Sequence, residues 1–100
     1  MIVLTQLIYV RPGEESAFHA FEDVVLPLVP AYGGELLLRL RPPPESCLAG
    51  SLDAPYEVHL LRFPTEDDLR RFAADPTRQQ ALHLKDRSVR SALLYNGREV

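Results

Sequence analysis

The stretch that most limits the fold runs from Tyr56 to Phe72, YEVHLLRFPTEDDLRRF, and is typical of a strand, a tight connection and a helix start. Pro64 prevents the strand from continuing as an inner ladder residue. Thr65 is a favourable N-cap, with Asp68 three residues later as in a capping box. The segment from Leu7 to Phe21, LIYVRPGEESAFHAF, repeats this order. Two such βα halves predict one small duplicated α+β domain, although any two βα junctions share some of these letters.

The first strand, predicted over Ile2 to Val10, is apolar on both of its faces. One face carries Ile2, Leu4, Ile8 and Val10, and the other carries Val3, Leu7 and Tyr9. A strand that is apolar on both faces is typically covered on both. With 100 residues the chain is predicted to form one domain, residues 1–100, whose helices cover only one face of the sheet. We therefore expect a second copy of the chain to cover the other face.

The remaining pattern predicts the order βαββαβ. Helix one is predicted from Glu14 to about Tyr32, with a break near Leu26 because Pro27 and Pro30 each remove a helical N–H. Further strands are predicted over 35–41, 56–63 and 89–96, and further helices over 66–74 and 76–87. This order is the ferredoxin-like plan, an antiparallel four-stranded sheet with helices on one face.

Composition limits the classes of partner. The formal net charge is -3, from 11 basic and 14 acidic residues, and no basic patch is interleaved with aromatic residues. This distribution argues against binding to nucleic acid. No apolar run approaches the roughly 20 residues needed to cross a membrane. The N-terminus lacks the features of a signal peptide, and the single cysteine, Cys47, fits a reducing compartment. We therefore expect a cytoplasmic protein.

The sequence contains no recognisable catalytic motif. A dinucleotide fingerprint, a P-loop, a CxxC pair and an HExxH pair are all missing. The three histidines, His19, His59 and His83, lack the spacing of metal ligands, and His19 and His83 are predicted on helix surfaces. We therefore expect no metal and no cofactor.

One polar group of residues is a candidate site. Arg39, Arg41, Glu57 and His59 have the parity of one face of the hairpin formed by strands two and three. In the functional hypothesis His59 is the catalytic acid or base, and Arg39, Glu57 and Tyr9 bind the substrate. The alternative is a purely structural network. Because the opposite face of strand three is more apolar, we expect the helices to cover that face and leave the polar group toward the partner sheet.

The sequence resembles a known family in two segments, YGGELLLR after helix one and RFPTEDDLRRFAADPTRQQAL after strand three. The pattern is similar to the family called domain of unknown function 1330, within the dimeric α/β-barrel superfamily that includes antibiotic-biosynthesis-type monooxygenases. The resemblance implies ferredoxin-like protomers whose sheets pack face to face as homodimers. The sequence departs from the family at Arg62, where an acid is common, and in its long proline-rich loop over 42–55. No catalytic residue is carried over.

Two classes of function remain open, and the sequence does not decide whether the protein is an enzyme. The first is binding or conversion of a small organic metabolite, by a cofactor-independent oxygenase or isomerase, as the superfamily resemblance implies. The second is a non-catalytic dimeric module that binds a ligand or another protein. An enclosed polar pocket around His59 favours the first class, and a sheet face filled with aliphatic side chains favours the second.

Overall fold

The computed structural model describes residues 1–100 and confirms the predicted α+β fold, a ferredoxin-like βαββαβ arrangement. The strands are β1 (Ile2–Val10), β2 (Glu35–Leu40), β3 (Glu57–Phe63) and β4 (Val89–Arg98). The helices are α1 (Glu15–Val25), α2 (Glu66–Ala73) and α3 (Pro76–Ser88). The strands form one four-stranded antiparallel sheet in the order β2-β3-β1-β4. No helix combines the length and the apolar character that a membrane span requires.

The predicted break in the first helix is confirmed. Helix α1 ends at Val25 and continues as a 3-10 segment, Leu26–Tyr32, that contains both prolines. Gly33 then adopts a left-handed conformation with φ of 72° and closes the segment. The regular α-helix ends here because each proline removes a backbone donor and its ring clashes with the carbonyl one turn earlier.

Side chains cap the other two helices, and the cap of α2 at Thr65 is as predicted. The Thr65 hydroxyl accepts a hydrogen bond from the Asp68 N–H at 3.1 Å at the start of α2. The Asp75 carboxylate accepts from the N–H groups of Thr77 and Arg78, at 2.8 and 3.2 Å, at the start of α3. These contacts satisfy backbone donors that have no partner within the helix, and so fix where each helix begins.

The hydrophobic core lies between the helices and one face of the sheet. In the β1–β3 register, Ile2 pairs with Phe63 and Leu4 with Leu61, so these four side chains share a face. They form one cluster with residues from the helices: Phe21, Val25, Val29, Phe72 and Ala81. The helices therefore cover the even-numbered residues of β1 and the odd-numbered residues of β3.

This arrangement corrects the predicted orientation of β3. The helices cover the face that carries Glu57, His59, Leu61 and Phe63, all of which are buried. The prediction that the polar residues face a partner sheet is therefore wrong. The physical reason is that Leu61 and Phe63 anchor this face in the core, and the strand alternation then carries Glu57 and His59 to the same side.

The opposite face of the sheet, which we call the open face, carries no helix. Its central residues are Val3, Thr5 and Leu7 of β1 and Val58, Leu60 and Arg62 of β3. Toward the edges it exposes aliphatic and aromatic side chains, with Leu38 42%, Leu40 47% and Tyr95 68% exposed. The molecule is accordingly a two-layer slab with principal extents of 36 × 34 × 16 Å.

Candidate functional site

Glu57 is the buried centre of a polar network, the Glu57 cluster, made of Arg39, Arg41, Glu57 and His59. Arg39 Nε donates to Glu57 Oε1 at 2.8 Å, and Arg41 Nε donates to Oε2 at 3.0 Å. His59 Nε2 lies 2.8 Å from Oε1. The strand register brings these side chains together, because Arg39 pairs with His59 across β2 and β3. Glu57 precedes His59 by two residues and therefore lies on the same face.

The network sets the charge of its members. Burial alone would raise the pKa of Glu57, but hydrogen bonds from Arg39, His59 and Arg41 outweigh it and lower that pKa to about 2. Burial lowers the pKa of His59 by more than its hydrogen bond to Glu57 raises it. At neutral pH we therefore assign an ionised Glu57 and a neutral His59 whose Nε2–H donates to the carboxylate.

The geometry limits what the cluster does chemically. Glu57 and His59 are each only 1% exposed, and the His59 ring packs against Phe18 with ring centroids 6.4 Å apart. Both carboxylate oxygens of Glu57 already accept hydrogen bonds, so this group is not a free base. None of Arg39, Glu57 and His59 lines either of two cavities of the molecule, of about 410 and 470 Å³. These features agree with the structural alternative.

Tyr9, the fourth predicted site residue, lies apart from the Glu57 cluster. It points away from the helix-covered face, and its hydroxyl donates to the backbone oxygen of Asp53 at 2.9 Å in the proline-rich loop. The Arg90 guanidinium lies over the Tyr9 ring, 5.3 Å from its centroid. The structure thus brings Arg39, Glu57 and His59 together and leaves Tyr9 at the loop.

Tyr9 borders a cleft of about 470 Å³ beneath the proline-rich loop, which we call the proline cleft. Its walls are residues 9, 10, 41–44, 54–56 and 90. Arg41 belongs both to this wall and to the Glu57 cluster, and so connects the two. A second cavity, of about 410 Å³, lies at the other end of the sheet near Pro64 and Asn96.

Glu22 is a buried carboxyl that the sequence analysis missed. It lies on α1, is only 6% exposed, and interacts electrostatically with both Arg39 and Glu57. Burial raises the pKa of Glu22 to about 7, against the lowering effect of Arg39. The sequence could have indicated that Glu22 is buried, because it follows Phe18 by four residues and therefore lies on the same side of the helix.

The other two histidines differ in their surroundings. His83 is exposed on α3, as predicted. His19 is half-buried rather than at the surface, because its Nε2 lies 2.6 Å from the Tyr56 hydroxyl and its ring stacks on Tyr56. This contact fixes Tyr56, a wall of the proline cleft, against α1.

Three solved structures illustrate the relationship of this fold to known proteins. A protein of unknown function from Rhodopseudomonas palustris superposes with a TM-score of 0.86 at 16% identity, over 99% of this chain and 82% of that chain. A dimeric ferredoxin-like protein of unknown function from Jannaschia gives 0.71 at 20%, over 99% and 98% of the two chains. An uncharacterized NIPSNAP domain protein from Burkholderia xenovorans gives 0.70 at 15%, over 100% and 95%.

These likenesses establish the fold. No protein-family model matches the chain, and no curated protein matches it. These three neighbours share between 15% and 20% identity with it and are themselves described as uncharacterised or of unknown function. The chain is therefore similar to a group of ferredoxin-like proteins, some of them dimeric, that includes NIPSNAP domain proteins.

Proposed function

We propose that the protein is a homodimeric ligand-binding module, in which two copies pack open face to open face as a dimeric α/β barrel. The observation that carries this proposal is the aliphatic open face of a sheet whose other side is already covered by helices. Stable interfaces bury roughly 800 Å² per partner. A slab with broad dimensions of 36 × 34 Å offers enough surface for that.

Two further points support the dimer. The structural neighbours from Jannaschia and from Bacteroides fragilis are described as dimeric ferredoxin-like proteins. The resemblance to the domain of unknown function 1330 family also implies homodimers joined through their sheets, and we propose membership of that superfamily on this basis.

The single cysteine is exposed and unpaired, which supports a place in the reducing cytoplasm for this one-domain protein, residues 1–100.

Light scattering at micromolar concentration tests the dimer. We expect twice the chain mass of 11.3 kDa. A monomeric mass together with a cooperative thermal melt would overturn the proposal, because the open face would then be stable in water without a partner.

A second candidate function is conversion of a small organic metabolite by proton transfer, with His59 as acid or base. In this candidate Arg39 holds an anionic group, and Glu57 and Tyr9 complete the substrate site. The observation that favours it is a hydrogen-bonded link between the proline cleft and His59, since Arg41 in the cleft wall and His59 both donate to Glu57. A neutral imidazole is the form that accepts a proton.

A His59→Gln variant distinguishes a catalytic role of His59 from a structural one. The matched control is His83→Gln, because His83 is exposed. A catalytic His59 predicts that His59→Gln keeps the melting temperature but loses the thermal shift that small anionic or phenolic compounds give the parent. A structural His59 predicts a lower melting temperature and an unchanged dimer mass. The second result follows because His59 lies between the sheet and the helices, away from the open face.

A further inference from the structure

We propose that the proline cleft binds a small carboxylate with an apolar, aromatic-sized body, held by Arg41 and Arg90. This inference names the ligand class of the module proposed above, and rests on that proposal. It does not require His59 to be catalytic.

The walls of the proline cleft combine apolar surface with positive charge. Pro42, Pro43, Pro44 and Pro55 line it together with two tyrosines. Its charged wall residues are Arg41 and Arg90, and no acidic side chain lines it. Ligand pockets typically have volumes of about 300–1,000 Å³, mostly apolar walls and a few placed polar groups. A volume of about 470 Å³ lies within that range.

Arg41 is held in place without being fully neutralised. Its Nε and Nη2 donate to Glu57, and its guanidinium carbon lies 5.1 Å from the Tyr56 ring centroid. Glu57 also accepts from Arg39 and His59, so its negative charge is shared among several donors. The Arg41 side chain remains 50% exposed. A positioned guanidinium with free edge N–H groups is well suited to an incoming anion.

Arg90 also lines the cleft and has weaker partners. Its guanidinium carbon lies 5.3 Å from the Tyr9 ring centroid, and its contact with Asp53 is long, at 3.5 Å. The Arg90 side chain is 51% exposed. Stacking on an aromatic ring uses the flat face of a guanidinium, so its edge remains able to donate hydrogen bonds.

The two arginines and the apolar walls together select the ligand class. A carboxylate matches the planar donor fork of a guanidinium, and a flat apolar ring is covered by proline and tyrosine side chains. Inorganic phosphate carries the charge but lacks the body. A neutral amide of the same shape carries the body but lacks the charge. The proposed site therefore requires both properties in one molecule.

Benzoate is the probe, with benzamide and inorganic phosphate as matched controls, in an NMR titration of the full chain. We expect benzoate to shift the amide signals of Val10, Ala54 and Tyr56 and to leave those of Asn96 and Gly97, at the second cavity, unchanged. Benzamide and phosphate are each expected to bind about tenfold more weakly, which corresponds to about 1.4 kcal/mol. Arg90→Gln should weaken benzoate binding about tenfold, whereas Arg70→Gln, at an exposed position of α2 that does not line the cleft, should not change it.

The proposal is overturned if benzoate shifts no cleft signal at millimolar concentration, if benzamide binds equally well, or if Arg90→Gln binds benzoate like the parent. The NMR titration that locates the benzoate site uses the unmodified protein, so its result remains valid even if a variant misfolds. Light scattering on the same sample separates this inference from the dimer. A dimer that does not bind benzoate contradicts only the proposed ligand class. A monomer that binds benzoate contradicts only the proposed dimer.

Discussion

At the scale of single residues, Glu22 makes folding stability depend on pH in an unusual direction. Burial raises its pKa from 4.5 to about 7 in the folded chain, so the folded state binds the proton more tightly than the unfolded state. Stability from this group is therefore fully present below pH 4.5 and is lost as the pH rises through 7. The loss is on the order of 3 kcal/mol, since each pKa unit corresponds to about 1.4 kcal/mol.

A Glu22→Gln variant should remove this dependence, because glutamine stays neutral. Relative to the parent, we expect Glu22→Gln to gain stability progressively between pH 4.5 and pH 7 in urea titrations, and to remain more stable at pH 8. Glu57 and His59 titrate in both proteins, so their effects cancel in the difference. Glu45→Gln, in the exposed loop, is the control and should keep the parent profile. A constant difference across this pH range would contradict the assignment.

The candidate site was partly predictable at the residue scale. Strand alternation alone placed Arg39, Glu57 and His59 on one face, and the structure joins them through hydrogen bonds. Which face of β3 the helices cover was not predictable from the polarity of β3. The choice depended on Leu61 and Phe63 pairing with the apolar even face of β1. Register across strands is a tertiary property, and the local polarity of one strand does not contain it.

At the scale of elements, Gly34 fixes how the 3-10 segment meets β3. A Cβ added at Gly34 would lie 2.6 Å from Phe63 Cε1 and 2.7 Å from Val29 Cγ1. Both neighbours are fully buried, so neither side chain has room to yield. We expect Gly34→Ala to destabilise the fold by about 1–3 kcal/mol in urea unfolding, the usual range for overpacking.

Gly97→Ala is the matched control for this prediction, because a Cβ added at Gly97 meets no atom within 4 Å. It should change stability by less than about 0.5 kcal/mol. Equal effects of the two substitutions would show that loss of glycine flexibility, rather than a clash with Phe63 and Val29, determines the result.

Element boundaries were more predictable than element details. Chemistry that acts within a few residues marked the end of α1 just before Pro27 and the N-cap of α2 at Thr65. The irregularity in β2 was not predictable, since the register shifts between Leu36 and Leu38 within a run of identical leucines. Identical side chains give no sign of which one is the extra residue.

At the scale of the whole molecule, the open face is the surface that joins the two copies in the proposed dimer. Leu60 lies at its centre on β3, opposite Thr5 of β1 and Leu38 of β2. In a single chain Leu60 is only half-buried, so a glutamate there would reach water. In a face-to-face dimer the same glutamate would lose its water without gaining a partner, and symmetry would introduce it twice.

Leu60→Glu is therefore expected to dissociate the dimer while leaving the chain folded. Burying an unpaired charge costs several kcal/mol, and each 1.4 kcal/mol weakens association about tenfold, so the dimer should separate at micromolar concentration. Light scattering should give the monomer mass, and circular dichroism should still show a cooperative melt. Leu48→Glu is the matched control, since Leu48 is 93% exposed in the loop, and it should stay dimeric. A folded Leu60→Glu variant that keeps the dimer mass would place the interface elsewhere on the slab.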